Sequence, residues 1–344
     1  MKIKKALTYD DVLLVPQYSD IKSRKEIYIG NVLDEHHWFG MPIISSPMDT
    51  VTETDIAHSM CRYGGLGIIH RYNTIEEQAL LVYETYNSLL YSAKRPYVGA
   101  AVGVTGDYLE RASTLCENGA EIICIDVAHG HHALVKNAIE TLKTELDSKV
   151  HIMAGNIATL EGFNALADWG ADSVRCNIGG GSICSTRIQT GHGLPGLQTI
   201  LDCARTDRDV KIIADGGIRS SGDIVKALAA GADFVMIGSL LAGTDETPGE
   251  KIVTSAGTMK KYRGMASTDA QIEWRGKTSS EEGISTYVEY KGPADEILKS
   301  LCNGIKSGLS YSGARTIQQF QTKARFVRQT PAGLSESKTH ILYK

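Results

Sequence analysis

One thiol in this chain stands where a nucleophile would. Cys184 lies in the run "NIGGGSICSTRIQTGHG", after a short apolar stretch and three successive glycines, Gly179 to Gly181. Glycines let a backbone bend sharply and put little bulk in the path of a substrate. Ser182, Ser185 and Thr186 crowd the thiol with hydroxyls. Arg187 adds a positive charge that favours thiolate, the form that attacks. The six other cysteines are scattered, and Cys124, inside "EIICIDV", reads as a small core hydrophobe.

Other groups with chemical use sit beside glycines or at the ends of apolar runs. "ADGGIRSSGD" and "MIGSLLAG" place Gly216, Gly217, Gly238 and Ser239 where bare N–H groups and a hydroxyl can meet a phosphate. Asp215 could hold a ribose diol or simply cap a turn. Asp126 and Ala128 fall in "CIDVAHGHH", and Asn156 ends "MAGNI". His129, His131 and His132 lack an i, i+4 pair and a carboxylate partner, so they are expected to be loop residues and not metal ligands. Met48, in "SSPMD", is either core filler or a flexible thioether suited to a flat aromatic base.

These residues need a scaffold, and one pattern repeats eight times: a short apolar β-rich run, a polar or glycine turn, and a helix-like stretch. The runs are "MPIISSPM", "GLGIIH", "YVGAAVG", "EIICIDVAHG", "VHIMAGNI", "ADSVRCNIG", "VKIIADGG" and "ADFVMIGS". Continuous apolar strands are buried on both faces, which is the mark of a parallel sheet. Eight βα units within about 250 residues predict an α/β fold, a closed (β/α)8 TIM barrel. "GADSV" and "GADFV" each read as a helix stop followed directly by a strand. An open doubly wound sheet is the weaker alternative, because no G-x-G-x-x-G follows the first strand. Residues 1–40 read as an N-terminal extension. Residues 245–292 read as an excursion after the eighth strand, with "STDAQIEWRGKTSSEEG" as a flap. In such barrels chemistry gathers at the C-terminal strand ends, and phosphate binds after the seventh and eighth strands.

Composition narrows the function classes. The 344 residues carry a formal net charge of -4, which points away from nucleic acid and from anionic membranes. Seven cysteines without a C-x-x-C pair fit a reducing, cytoplasmic setting. The opening "MKIKKALTYDDVLLVP" lacks the apolar core of a signal peptide, and no run approaches the roughly 20 apolar residues of a membrane span.

The runs "LTYDDVLLVP", "SSPMDTVTE", "GGLGIIHR", "GGGSICSTR", "IIADGGIRSSGDIVKALAAGAD", "MIGSLLAGTDETPGE" and "KYRGMAS" resemble the IMP dehydrogenase / GMP reductase family over nearly the whole chain. The resemblance implies a barrel that binds a purine nucleotide and a nicotinamide cofactor, as a homotetramer. It implies that Cys184 attacks purine C2. Ser182, Asp215, Gly216, Gly217, Gly238, Ser239 and Tyr262 match positions around ribose and phosphate. Ser46, Met48 and Met265, with the adjoining Gly264, match positions near the base. Asp126 and Asn156, with Ala128 in the first of these loops, match the nicotinamide side. Gly179, Gly181 and Cys184 match a loop that holds a monovalent cation, K+, in many dehydrogenases of the family. Two departures stand out. The family usually has Gly-Pro-Gly or Gly-Ser-Gly at 179–181, and the unusual Cys176-Asn177 precedes it here, which is expected to loosen the catalytic loop. Ala266 replaces a common glycine, which puts a close backbone contact to the base in doubt.

Within the family two reactions compete, and both pass through a covalent thioimidate. A dehydrogenase oxidises IMP with NAD and must activate water, work that resembles that of an Arg-Tyr pair on the flap. Here Arg275 is followed by Gly276 and has no adjoining tyrosine. A reductase expels ammonia from GMP and takes hydride from NADPH, using a threonine near the cysteine and a flap glutamate, positions that Thr186 and Glu282 match. Thr190-Gly191 is typical of reductases. The regulatory CBS domain pair of most dehydrogenases is missing, so residues 1–344 read as a single catalytic barrel. "AGTDETPGE" and "AGLSESKTH" look more like a dehydrogenase. The balance favours NADPH-dependent GMP reductase. The alternatives are an IMP dehydrogenase lacking the regulatory domain, and a non-catalytic purine-nucleotide-binding barrel.

Overall fold

The computed structural model describes residues 3–89, 97–255, 257–279 and 281–339. All eight apolar runs form strands: β1 Ile43–Ser45, β2 Leu66–Ile69, β3 Val98–Val102, β4 Ala120–Asp126, β5 His151–Ile157, β6 Ser173–Cys176, β7 Lys211–Asp215 and β8 Phe234–Ile237. They pair in parallel and in order, and β8 closes onto β1 through Val235 opposite Ile43. Every residue of β1, β2, β3, β6 and β8 is buried, which is why these segments read as mostly apolar runs, with Arg175 the one charge among them. One apolar layer, including Ile44, Ile68, Cys124 and Met236, fills the barrel, and Cys124 is fully buried there as expected. A larger layer lies between the strands and the helices outside.

The repeated Gly-Ala-Asp has a physical account. Gly170 and Gly231 adopt φ of +106° and +113°, the left-handed turn that ends a helix. The aspartates then reach sideways. Asp172 accepts the Ile152 amide at the start of β5 (2.7 Å), and Asp233 accepts the Ile212 amide in β7 (2.9 Å). Each carboxylate satisfies an amide at the barrel's lower rim.

The N-terminal extension closes the floor. A hairpin, Asn31–Val32 with Trp38–Phe39, sends Leu33 and Phe39 into the inner layer. Beside it lies a polar knot. His37 Nδ1 is 2.8 Å from both Asp34 oxygens, and its Nε2 is 3.3 Å from Glu121 Oε2. His151 Nδ1 meets Asp34 at 2.5 Å and its Nε2 meets Ser173 Oγ at 2.8 Å. Asp34, His37 and His151 are the one group of possible metal ligands among the described residues. Their spacings are hydrogen-bond lengths, and every ring nitrogen has a protein partner, so the knot is accounted for without an ion.

The excursion after β8 is more ordered than a bare flap. Strands Ile252–Thr254, Gly257–Arg263 and Ser285–Glu289 form an antiparallel sheet, with helix Thr268–Arg275 between the last two. The junction where the sequence reading expects no inserted domain pair falls at 90–96, outside the described residues. No helix among the described residues is long and apolar enough to cross a membrane.

Candidate active site

The C-terminal ends of the strands surround a cleft of about 480 Å³, and Cys184 lines it. Every catalytic, substrate, cofactor and cation residue named from the sequence lines this same cleft. Residues from 46 to 282 converge there because a closed parallel barrel points all its β-to-α loops to one face.

Cys184 sits between β6 and a short helix, Thr186–Thr190. Its Sγ lies 3.2 Å from Thr186 Oγ1, which gives the thiol proton an acceptor. The flap strand is pinned to this loop. The Ser185 amide donates to the Glu282 carbonyl at 3.0 Å, the Ser185 hydroxyl to the Glu281 carbonyl at 3.0 Å, and the Ile284 amide to the Ile183 carbonyl at 3.0 Å. Glycine at 283 also lets residues 264–267 pack against this segment, since a Cβ there would stand 3.0 Å from the Ser267 nitrogen. Glu282, distant in sequence, thus shares the cleft with Cys184 and Thr186.

At the phosphate end, Gly216 and Gly217 both adopt left-handed φ, +77° and +75°. A Cβ on Gly216 would meet the Gly181 nitrogen at 3.1 Å, so the phosphate loop lies directly against the catalytic loop. Ser182 Oγ and Tyr262 Oη are 3.2 Å apart. Burial pushes the Tyr262 hydroxyl up, and it stays protonated as a donor. Lys291, not anticipated from the sequence, caps the Ser239 carbonyl at 2.6 Å.

A buried cation beneath the site was also missed. Arg175, from β6, donates to Asp126 Oδ1 (2.6 Å) and to Asp215 Oδ2 through both Nε (3.1 Å) and an Nη (2.8 Å). Asn156 Nδ2 joins the same Asp215 oxygen at 2.8 Å. Asp215 is therefore not a turn cap, and these contacts leave Oδ1 for a ligand hydroxyl. Although burial opposes its charge, the two carboxylates drive the Arg175 pKa well above the ordinary value. A lone charge within an apolar strand run, "ADSVRCNIG", was the available signal.

On the side of Asp126, Tyr72 stacks on Trp274 of the flap helix (4.4 Å between ring centroids). The Arg71 guanidinium lies 5.6 and 5.7 Å from these two rings, and Arg275 lies 4.5 Å from Trp274. Arg71 Nε is buried without a hydrogen-bond partner, with Asp126 Oδ2 4.0 Å away. Tyr72 and Arg275 also line a neighbouring cavity of about 680 Å³.

One expectation needs correction. The triple glycine does not loosen the loop, because the Asn177 side chain fills the space a Cβ on Gly180 would take. Arg187 donates to the Ile178 carbonyl (3.1 Å), the Leu194 carbonyl (2.5 Å) and Asn177 Oδ1 (3.1 Å), contacts that hold the loop. The histidines lie in the loop before helix Ala133–Glu145: His132 caps that helix, accepting the Leu134 amide at 3.1 Å, and His129 is exposed.

The fold and site together define a TIM barrel whose mouth joins a loop thiol, a glycine-lined phosphate end and a carboxylate pair bridged by arginine. Comparison with known proteins places it further. Residues 6–340 match the family described as the IMP dehydrogenase / GMP reductase domain, and the chain belongs to that oxidoreductase family. It is 35% identical to an inosine-5'-monophosphate dehydrogenase of Nitrosopumilus maritimus over 474 aligned residues, covering 99% of both. It is 33% identical to a GMP reductase of Leishmania major, covering 99% of this chain and 98% of that one. A crystal structure of a cysteine-to-alanine variant of Trypanosoma brucei GMP reductase, in complex with guanosine 5'-monophosphate, superposes with a TM-score of 0.91 at 34% identity, covering 98% of both chains.

Proposed function

We propose that the chain is a GMP reductase that converts GMP to IMP and ammonia. The observation that carries this reading is the meeting of Glu282, Thr186 and Cys184 in one cleft, with no tyrosine beside Arg275 on the flap. The GMP named with the Trypanosoma brucei structure supports a purine nucleotide as substrate.

In this mechanism Cys184 passes its proton toward Thr186 Oγ1 and the sulfur bonds to purine C2. Glu282 supplies the proton with which the 2-amino group leaves as ammonia, giving a thioimidate. A reduced dinucleotide, NADPH in this reading, would supply the hydride that C2 needs, after which the C–S bond would break to return the thiolate and IMP. Asp215 Oδ1 holds the ribose, while the amides at Gly217 and Gly238 and the Ser182, Ser239 and Tyr262 hydroxyls hold the phosphate. Asp126, Ala128 and Asn156, which line the same cleft, are the residues that would border a nicotinamide. The Arg71 Nε, open to a hydrogen bond, and the flat Tyr72–Trp274 pair suit a dinucleotide's phosphates and rings. The carbonyls of Gly179, Gly181 and Cys184 are the groups that would hold a monovalent cation, and a homotetramer belongs to the same proposal.

The alternative is NAD-dependent oxidation of IMP, favoured by one observation: Arg275 lines the cleft, where it could activate water. A paired assay decides between them. GMP with NADPH should consume reduced cofactor, and IMP with NAD should leave absorbance at about 340 nm flat, on the order of background. IMP-dependent NADH formation that is lost in Arg275→Ala would overturn the reductase reading.

A further inference from the structure

Asn177 is the only non-glycine residue with positive φ (+140°) among the described residues, and it is 3% exposed. An L-residue held there is strained, and such strain persists where the surroundings over-determine it. The surroundings do so here. The Asn177 amide donates to the Ile157 carbonyl at 2.7 Å, and its carbonyl accepts from Asn156 at 3.0 Å. Its side chain then joins three pieces of the site. Nδ2 donates to the Gly216 carbonyl in the phosphate loop (3.3 Å), and Oδ1 accepts from Arg187, which follows the catalytic cysteine (3.1 Å). The third piece is Gly180: a Cβ built there would fall 1.9 Å from Asn177 Nδ2, 2.6 Å from Cγ and 2.8 Å from Oδ1.

We propose that Asn177 and Gly180 form a compensating pair: the Asn177 side chain is a positioning wedge that sets the Cys184 loop against the phosphate loop, and residue 180 must lack a side chain to admit it. The inference rests on the reading of Cys184 as the attacking thiol. It explains why the middle of the loop is glycine without invoking slackness. The wedge supplies from position 177 the bulk that a larger residue at 180 would supply directly.

Reciprocal rescue tests it, using the full chain and the variants Asn177→Gly, Gly180→Ala and the double variant. Asn177→Gly relieves the φ strain, so its melting temperature should equal or exceed that of the parent. Its kcat should nevertheless fall about tenfold, with nucleotide KM within about threefold, because two positioning hydrogen bonds are lost. Gly180→Ala should lose about 10²-fold in kcat, since its methyl displaces the wedge and shifts the loop. The double variant should recover to the level of Asn177→Gly. The rate of Cys184 alkylation by iodoacetamide should follow the same order: Gly180→Ala departs most from the parent, and the double variant returns to the Asn177→Gly value. A double variant no better than Gly180→Ala, or an Asn177→Gly that turns over as fast as the parent, overturns the pairing. If Gly180→Ala does not fold, the pairing stands or falls on Asn177→Gly and on whether the double variant folds. Should the parent turn over neither GMP nor IMP, the functional reading fails, and the alkylation pattern still decides the wedge.

Discussion

Replacing His37 by glutamine should destabilise the protein in a way that disappears at alkaline pH. His37 is buried in the barrel floor between Asp34 and Glu121. Burial alone would push its imidazole down, but the hydrogen bonds to the two carboxylates outweigh this and raise its pKa from 6.5 to about 9. That preference for imidazolium is worth up to about 3 kcal/mol, counted once for the whole knot. Because the folded value lies above the unfolded one, the contribution is complete below about pH 6.5 and drains as pH rises through about 9. His151 differs: burial holds it below its ordinary value, so it stays neutral, donating to Asp34 and accepting from Ser173. Asp34 keeps its charge because the two histidines outweigh the opposing effect of burial. Thermal unfolding of parent and His37→Gln, at one fixed protein concentration so that any assembly cancels, should differ by roughly 5 °C at about pH 6.5. The gap should close by about pH 9.5. An equal gap at both pH values would refute a charged His37 and reduce the knot to ordinary packing.

Three further outcomes follow from the site. Cys184→Ala should abolish turnover while GMP affinity, measured by calorimetry, changes little, because apart from Ser182 the phosphate and ribose contacts come from other strands; substantial residual turnover would exclude covalent catalysis. Glu282→Gln should cut ammonia release about 10²- to 10⁴-fold with GMP binding nearly unchanged, and Arg275→Ala should cost less in the same assay. Arg175→Gln should destabilise by about 3–5 kcal/mol, because it strands two carboxylates at the barrel mouth; urea unfolding measures this, and a loss below about 1 kcal/mol, the size of a surface pair, would show that the cation is dispensable.

Much of this protein was legible in the chain. The eight strands were, because a strand covered on both faces must be largely apolar, and that leaves continuous apolar stretches such as "IICI" or "FVMI". That Cys184 and the glycine loops after the seventh and eighth strands share one cleft was legible because glycine beside a strand end is a local backbone requirement. The flap's contact with the catalytic loop was half legible: Glu282 could be named, but not the Ser185–Glu282 backbone bond that brings it in. Tertiary structure alone decided the rest. Asp34 and His151 stand 117 residues apart and meet only because the N-terminal hairpin folds under the barrel. Arg175 looks like a misplaced charge until β4 and β7 bring Asp126 and Asp215 to either side of it. Gly179–Gly181 looked slack because sequence shows a missing side chain but not what fills its place; the filler is Asn177, whose left-handed backbone no local pattern announces. Periodicity and turn chemistry are properties of neighbouring residues, so the chain displays them. Charge compensation and wedge packing are properties of distances across the barrel, and those exist only once it has closed.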